Sequence, residues 1–233
     1  LAADADEFAY YETPFMAGDT HAAKIGTACS LFPRQAEPGT TFAYHTSDTY
    51  IAGTLMNAWL ARQAAASGAA ARDLHADVLV EELMRPLGLS PLTLASKRTY
   101  DSVAQPFTGW GLTLHADDVA RLGLFLLQDG GAIDGRQVLD PAGLAAALQR
   151  DPADRGLPAG SDSLRYNNGF WAYRTDLGGA CREPIWIPFM SGYGGISVAL
   201  LPNGSLYYVF SDHGRFEWLR AAAAAHRIRN LCE

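Results

Sequence analysis

A tyrosine directly before a helical pattern is the residue of this chain best placed for proton-transfer chemistry. Tyr44 follows a Pro38-Gly39 turn, and it precedes three residues that can cap a helix: Thr46, Ser47 and Asp48. A phenol has an ordinary pKa of about 10, so it acts as a base near neutral pH only beside a positive charge or strong hydrogen-bond donors. Tyr44 is therefore a candidate acid–base residue, and this chemistry needs a cation next to it.

The residues around Tyr44 and several later blocks follow one another in an order that resembles the serine β-lactamase and penicillin-binding-protein superfamily. Its class C β-lactamase-like branch includes esterases, D-aminopeptidases and 6-aminohexanoate-dimer hydrolases. In that branch a Pro-Gly and an aromatic residue precede Tyr-x-Asn or Tyr-x-Ser, and a glycine stands nine residues after the tyrosine. Gly53 meets that spacing from Tyr44. The later blocks are Gly109–Leu112, Asp118–Gly123, Ser191–Gly195, and Pro202–Gly204 with the strand that ends at Ser211-Asp212.

The resemblance implies a β-lactamase/transpeptidase-like fold and acyl transfer by a serine nucleophile, without a metal or organic cofactor. In such an enzyme the serine of an upstream Ser-x-x-Lys attacks the substrate carbonyl, while lysine and tyrosine relay its proton to the leaving group. Tyr44 would be this tyrosine, and the strand beginning near Gly192 would offer a backbone N–H to the oxyanion. The other implied substrate contacts are Thr46, Trp110, Ser191, Tyr193 and Gly194.

The Ser-x-x-Lys pair is missing from the sequence. The chain has two lysines, Lys24 and Lys97, and the residues three positions before them are His21 and Leu94. We therefore expect the N-terminal part of the fold to be absent from this chain, with the serine and its lysine on a preceding companion segment. On this interpretation residues 1–233 are the C-terminal portion of one β-lactamase-like domain. Residues 1–160 would be mainly helix and loop, and residues 161–233 would hold the strands and the C-terminal helix.

Two departures from the superfamily pattern bear on the substrate. Thr46 stands where asparagine is usual, so a hydroxyl replaces a side-chain amide. The third motif, often Lys-Thr-Gly or His-x-Gly, is represented at best by Ser191-Gly192 and the glycines that follow, without a cation to hold a substrate carboxylate. We therefore expect a small ester or amide as substrate. Two alternatives stay open: a catalytically silent domain that binds a ligand or partner, and a D-amino-acid peptidase or β-lactamase.

Composition limits the partners of the protein. A formal charge of −7 argues against nucleic acid as a main partner, because phosphate binding needs clustered Lys and Arg. No apolar run of the sequence is long enough to span a bilayer. The histidines lack the His-x-x-x-His spacing of a zinc site. The cysteines, Cys29, Cys181 and Cys232, allow either one disulfide with a leftover thiol, which would suit a periplasmic or secreted protein, or buried free thiols.

Prolines and glycines interrupt the opening stretch of the chain, to about Phe42. After this stretch, apolar periodicity predicts a series of helices. Within that stretch a short helix is expected at Asp19–Ala28, capped by Asp19 or Thr20. A longer helix runs from the residues after Tyr44 towards Gln63, with Ile51, Leu55 and Trp59 on its buried face. Further helices are predicted at Leu74–Leu87, Asp117–Gln128, Asp140–Gln149 and Phe216–Leu231, the last burying Phe216, Leu219, Ala223, Ile228 and Leu231.

From Asn168 onward the pattern becomes typical of strands. Phe170–Tyr173 is the first candidate, and Ile196–Leu201 and Leu206–Ser211 flank the turn sequence Pro202-Asn203-Gly204. Both strands of this hairpin are almost continuously apolar, which indicates a sheet covered on both faces. Helices followed by an antiparallel sheet and a packed C-terminal helix indicate a segregated α+β fold. A sheet of two or three strands is too small to stand alone, so we expect it to need more strands than the sequence offers.

Overall fold

The computed structural model describes residues 13–31, 36–179 and 181–232, and over these ranges the chain has the predicted α+β class. The helices are α1 (Thr13–Ala17), α2 (His21–Leu31), α3 (Thr46–Ser67), α4 (Leu74–Met84), α5 (Pro91–Leu94), α6 (Ala116–Leu127), α7 (Pro141–Ala147) and α8 (Trp218–Ile228). The strands are β1 (Ala132–Ile133), β2 (Arg136–Gln137), β3 (Leu157–Pro158), β4 (Leu164–Asn167), β5 (Phe170–Thr175), β6 (Ile185–Gly192), β7 (Ile196–Leu200) and β8 (Leu206–Val209).

The described residues form two compact units. The first contains the residues up to Ala36 together with Ala43–Asp118, and the second contains Glu37–Phe42 together with the residues from Val119 onward. The first unit is mainly helical, and the second contains the six-stranded sheet together with α7, α8 and most of α6.

The first unit is built around an aromatic core. Phe15 of α1 and Tyr50 of α3 are completely buried, and their rings meet edge to face with centroids 5.6 Å apart. Phe107 adds a third ring, 6.3 Å from Tyr50, and Ala28 of α2 completes the cluster. Aromatic side chains each bury a large apolar area, so this cluster joins α1, α2 and α3 by hydrophobic contact.

Local signals explain where the helices of this unit begin. Thr20 accepts a hydrogen bond from the Ala23 N–H at the start of α2, and Asp73 accepts one from the Ala76 N–H at the start of α4. Helix α4 is a π-helix, and the hydrogen bond from Arg85 N–H to Val80 O shows its wide turns.

A buried carboxylate ties α5 to the start of α6. Asp118 accepts hydrogen bonds from the Ser90 N–H at 2.8 Å, the Ser90 hydroxyl at 2.6 Å, the Thr93 hydroxyl at 2.9 Å and the His115 N–H at 3.0 Å. Burial alone would raise the pKa of this carboxyl, but the hydrogen bonds from Ser90, His115 and Thr93 outweigh it and hold the pKa well below its usual range. The charge therefore persists inside the protein and fixes both helix ends.

The second unit is dominated by a six-stranded antiparallel sheet in which the strands follow one another in chain order, β3 to β8. Its core contains Trp171 of β5 and Phe189 of β6, whose rings stack at 6.4 Å. Trp218 of α8 packs on Phe189 with ring centroids 4.7 Å apart, which holds the C-terminal helix against the sheet. A separate two-stranded ribbon is formed by β1 and β2.

Both faces of the sheet are covered at β8, as the apolar hairpin predicts. Tyr207 packs against the cluster that contains Trp218 of α8. The neighbouring Leu206 points to the other face, where its side chain would lie 2.8 Å from a Cβ placed at Gly123 of α6. The turn between β7 and β8 also forms as predicted, with Gly204 at φ 78° and its N–H bonded to Leu201 O.

Several sequence expectations about helices need correction. Helix α3 turns a different face inward: Leu55 and Trp59 are 64% and 59% exposed, whereas Tyr50 is buried. The reason is that Tyr50 finds aromatic partners far away in the sequence. The N-cap of α3 is His45, not one of the three residues that follow it. In α8, Ile228 is 89% exposed, and Trp218 and Ala222 form the buried face. The opening stretch is more helical than expected, and Pro33 lies outside the described residues.

The strand count was underestimated. The sequence indicates three strands, whereas the sheet also contains β3, β4 and the long β6. Pro188 lies in the middle of β6, opposite Ala172 of β5, and a proline inside a run argues against a strand at the sequence level. The six strands supply the size that an antiparallel sheet needs.

One of the two possibilities for the cysteines is realised. Cys181 and Cys232 form a disulfide with their Cα atoms 5.6 Å apart, and Cys29 is a free, exposed thiol on α2. Among the described residues no helix is both long and apolar enough to cross a membrane, and no cluster of three or more His, Cys, Asp or Glu side chains could hold a metal ion.

Replacing Asp118 by asparagine should lower the free energy of unfolding by about 3 kcal/mol, because a neutral amide cannot accept four hydrogen bonds and leaves buried donors unpaired. Urea unfolding followed by circular dichroism measures the effect. The control is Asp117→Asn, an exposed neighbour in the first turn of α6, for which we expect a loss below about 1 kcal/mol. Equal losses in the two variants would contradict the structural role of Asp118.

Candidate active site

Tyr44 lies on an extended segment just before α3, outside the aromatic core. Its side chain is 46% exposed. His45, which follows it, has the extended backbone angles φ −136° and ψ 138°, and the side chain of His45 does not cap the helix. The Asp48 N–H instead bonds to the His45 carbonyl oxygen at 3.1 Å. The side chain of Tyr44 is therefore partly accessible to solvent just before α3.

Thr46 is the first residue of α3, and the structure brings it against the turn that carries Trp110. A Cβ placed at Gly109 would lie 2.9 Å from both the Thr46 carbonyl oxygen and its methyl carbon. The Thr46 carbonyl also accepts a hydrogen bond from the Thr49 hydroxyl at 2.9 Å. The segment of Thr46 and the turn of Gly109 and Trp110, which are more than 60 residues apart in the sequence, thus meet in one tight backbone contact.

Trp110 is stacked on the core. Its ring lies 4.7 Å from that of Phe107, with an angle of 26° between the ring planes. The indole N–H is buried and has no hydrogen-bond partner among the residues that the structure describes. Most of the indole therefore serves packing, which the sequence could not separate from a role in substrate binding.

Lys24 is a buried cation that sequence reasoning set aside, because no serine stands three residues before it. It has no exposed surface, and its Nζ donates to the Phe15 carbonyl oxygen at 2.8 Å. The ammonium also lies 4.6 Å from the ring centroid of Phe15, 4.4 Å from that of Phe107 and 5.3 Å from that of Trp110. Ring faces attract a cation, so the aromatic core offsets part of the cost of burying the charge.

Burial dominates the titration of this lysine. Desolvation, and then the nearby positive charge of Lys97, lower the pKa of Lys24 to about 8, while Asp19 acts in the opposite direction. Lys97 lies over the same ring pair, 4.7 Å from the Trp110 centroid. The side chain of Lys97 is exposed and forms part of the wall of an open depression of about 510 Å³, together with residues 95–100, 104, 111 and 113.

His21 stands where a Ser-x-x-Lys motif would have its serine, and it has a different role. Its Nδ1 lies 2.8 Å from the Tyr50 hydroxyl, and its backbone N–H donates to Asp101 at 2.7 Å. Desolvation, followed by the negative charge of Asp101, raises the pKa of Tyr50. His21, Tyr50 and Asp101 therefore form a polar network around the start of α2, and they do not reproduce a serine–lysine pair.

The glycine-rich motif of the second unit forms the end of β6 and the turn into β7. Ser191 and Gly192 lie in β6 and pair with Ser197 and Ile196 of β7. Tyr193 is 80% exposed, and Gly194 and Gly195 follow with φ values of 84° and 103°, which favour glycine strongly. The turn itself therefore requires glycine at both positions, independently of any other role of their backbone.

The backbone of Arg215, a residue that sequence reasoning missed, lies next to this turn. A Cβ at Gly195 would be 2.9 Å from the backbone oxygen of Arg215 and 2.6 Å from the hydroxyl of Ser211. The Gly214 N–H bonds to Gly194 O at 3.0 Å, so the segment before α8 is fastened to the turn. Arg215, whose side chain is exposed, is distant from the motif in sequence and adjacent to it in space.

Comparison with known proteins connects this structure to a hydrolase fold. No protein-family model and no curated protein matches the sequence. Among solved structures, the chain is similar to a provisionally assigned 6-aminohexanoate-dimer hydrolase from Bacillus anthracis, at 16% sequence identity and a TM-score of 0.57. The similarity covers 95% of this chain and 52% of the other, so the chain spans about half the length of that protein. The β-lactamase-like fold that the sequence motifs imply is thereby supported at the level of the fold.

The buried lysine leads to a pH prediction. Between pH 8 and 10.5 the unfolded chain keeps the Lys24 proton and the folded chain has lost it, so Lys24 adds stability as the pH rises through this window. Relative to Lys24→Met, a variant of similar length without a charge, the free energy of unfolding should increase between pH 7 and 9.5. The slope should not exceed about 1.4 kcal/mol per pH unit. Urea unfolding at each pH measures it, and a difference that is independent of pH would contradict the prediction.

Proposed function

We propose that the protein is a serine hydrolase that transfers the acyl group of a small ester or amide to water. Tyr44 is its proton carrier, and the serine and lysine come from a preceding companion segment. The observation that carries the proposal is the position of Tyr44: an exposed phenol at the start of α3, in the motif order of the superfamily and in a fold similar to that of an assigned hydrolase.

The proposed reaction has two half-reactions. The serine oxygen attacks the substrate carbonyl carbon, and its proton passes through the lysine and Tyr44 to the leaving alcohol or amine as the bond to it breaks. Water then attacks the acyl-serine, gives its proton to the same groups, and releases the acid and the free serine. A backbone N–H near Gly192 would stabilise the oxyanion in both steps, a contribution of about 3 to 4 kcal/mol in comparable sites.

The surroundings of Lys24 support placing the activating lysine on another segment. Its ammonium is directed to the Phe15 carbonyl and to aromatic rings, and the residue is fully buried. A proton relay needs a lysine whose nitrogen reaches the serine oxygen, and His21 occupies the position where that serine would stand. On this proposal residues 1–233 have no hydrolase activity of their own.

The choice of substrate depends on whether a carboxylate is recognised. The third motif, Ser191-Gly192 and the glycines after it, contains no cation, which favours small linear esters and amides. The Arg215 backbone lies beside Gly195, so an exposed arginine is carried by the segment next to this turn. This favours the second candidate, a D-amino-acid peptidase or β-lactamase, because these enzymes act on substrates with a carboxylate that a cation can bind. A catalytically silent binding domain is the third possibility.

The proposed function is tested on the protein expressed with any coding sequence that precedes Leu1. A fluorophosphonate probe, followed by intact-mass spectrometry under denaturing conditions, should add one label to the segment that contains the serine. A sample that stays unlabelled while it remains folded would support the silent binding domain instead.

Replacement of Tyr44 by phenylalanine should lower kcat for an ester substrate by about two to four orders of magnitude, the usual size of an acid–base contribution. The free energy of unfolding should change little, because the phenol lies outside the core. The matched control is Tyr100→Phe, which removes the hydroxyl from another exposed tyrosine of the same unit. Wild-type turnover in the Tyr44 variant would refute the assignment.

Arg215→Ala separates the two substrate classes. If a carboxylate is bound, kcat/KM for a substrate that carries one should fall at least tenfold, and kcat/KM for its neutral methyl ester should stay within twofold. Arg220→Ala, an exposed arginine of α8 in a surface ion pair with Glu217, is the control. Equal effects of Arg215→Ala on both substrates would exclude carboxylate recognition by this residue.

A further inference from the structure

The turn that carries Trp110 contains a strained residue. Thr108 has φ 53°, in the left-handed region, where a β-branched side chain is a genuine outlier. Such a conformation costs about 1 to 3 kcal/mol and persists only where the surrounding structure holds it. Strained residues of this kind cluster at functional sites. The contacts that hold Thr108 in this conformation therefore indicate the role of the turn.

The first contact is with the inner side of α3. The Thr108 hydroxyl donates to the Thr49 carbonyl oxygen at 2.7 Å. A Cβ at Gly53 would lie 2.9 Å from the Thr108 methyl carbon, so the turn can approach the helix only because residue 53 is glycine. This close approach is a physical reason for a glycine nine residues after Tyr44.

The second contact is made by Gly109. A Cβ at this position would lie 2.4 Å from the Thr49 hydroxyl oxygen and 2.9 Å from the Thr46 carbonyl oxygen. These distances are too short for any side chain, so the backbone of the turn rests directly on the first turn of α3. The Gly109 N–H bonds back to Phe107 O at 2.5 Å, which tightens the turn itself.

The start of α3 needs such support. The side chain of its N-cap residue, His45, makes no cap hydrogen bond, so contacts from outside the helix contribute to holding its first turn in place. Tyr44 is attached to this end. A displacement of about 1 Å in a reacting group can cost about a hundredfold in rate, so fraying here would be costly to catalysis.

We infer that the turn formed by Phe107, Thr108, Gly109 and Trp110 is a positioning clamp for Tyr44. The clamp holds the first two turns of α3 through Thr46, Thr49 and Gly53, and the stack of Phe107 and Trp110 on the core fixes the clamp itself. Thr108 and Gly109 act through Tyr44 and touch no reacting atom. The inference rests on the proposed function for its catalytic consequence, whereas the clamp itself is a property of the fold.

The test compares Thr108→Val, which keeps the shape and removes the hydroxyl donor, with Thr108→Ser, which keeps the donor. The matched control is Thr54→Val: Thr54 also donates its hydroxyl to a carbonyl of α3, that of Tyr50 at 2.9 Å, but from within the helix. All variants are made in the protein expressed with any preceding coding sequence. Hydrogen–deuterium exchange of the peptide covering residues 44–50 is measured together with kcat and KM.

We expect Thr108→Val to speed exchange in residues 44–50 at least tenfold and to lower kcat about tenfold, with KM within twofold. Thr108→Ser and Thr54→Val should stay near wild type in both measurements. Unchanged exchange in Thr108→Val would overturn the clamp. Faster exchange with kcat no lower than in Thr54→Val would overturn its link to catalysis.

Failure of the proposed function gives a different pattern of results. In that case Tyr44→Phe keeps full activity, or the folded protein takes up no serine probe. The exchange rates of Thr108→Val and Thr108→Ser still decide whether the clamp exists.

Discussion

A single buried ammonium group organises the first unit of this structure. Lys24 has no exposed surface, and its Nζ donates to the Phe15 carbonyl while lying over the rings of Phe15, Phe107 and Trp110. Removing a charge from water costs several kcal/mol, and only groups that surround the charge can offset this cost. Those groups come from α1 and from the turn before α6, while the lysine comes from α2. The cation can therefore be accommodated only when these segments are assembled, which makes it a constraint on the whole unit.

The same aromatic cluster sets the orientation of α3, the helix that follows Tyr44. Tyr50 packs on Phe15 and Phe107, so the inner face of α3 is set by the aromatic core. The strained turn at Thr108 then holds the first residues of the helix, where the side chain of His45 supplies no cap. Tyr44 lies just beyond, with its phenol exposed. A rigid inner cluster that carries an accessible polar group at its edge is the arrangement that precise chemistry requires.

The parts of the fold that were predicted correctly have local signals. Asp140 followed by Pro141 marks the start of α7, and Asp140 accepts the Gly143 N–H as a cap. The Pro202–Gly204 turn closes the hairpin of β7 and β8. The expectations that proved wrong concern contacts between residues that are distant in the sequence. Leu55 and Trp59 are more apolar than Tyr50, yet only Tyr50 faces Phe15 and Phe107, which no periodicity within α3 could indicate. Strand β6 was missed because Pro188 breaks the local pattern, whereas its pairing with β5 and β7 makes it central to the sheet.

The sequence by itself determined the order of the motifs, the position of Tyr44 before a helix, the glycine nine residues later and the lack of a Ser-x-x-Lys pair. These features depend on residue identity and spacing, and turn and cap chemistry acts over a few residues. Only the tertiary structure decided that Lys24 is buried among rings, that the Arg215 backbone lies beside Gly195, and that Gly53 and Gly109 let the Thr108 turn approach α3 closely. Such facts are set by close packing between segments remote in the chain, where a single methyl group decides whether two elements can meet.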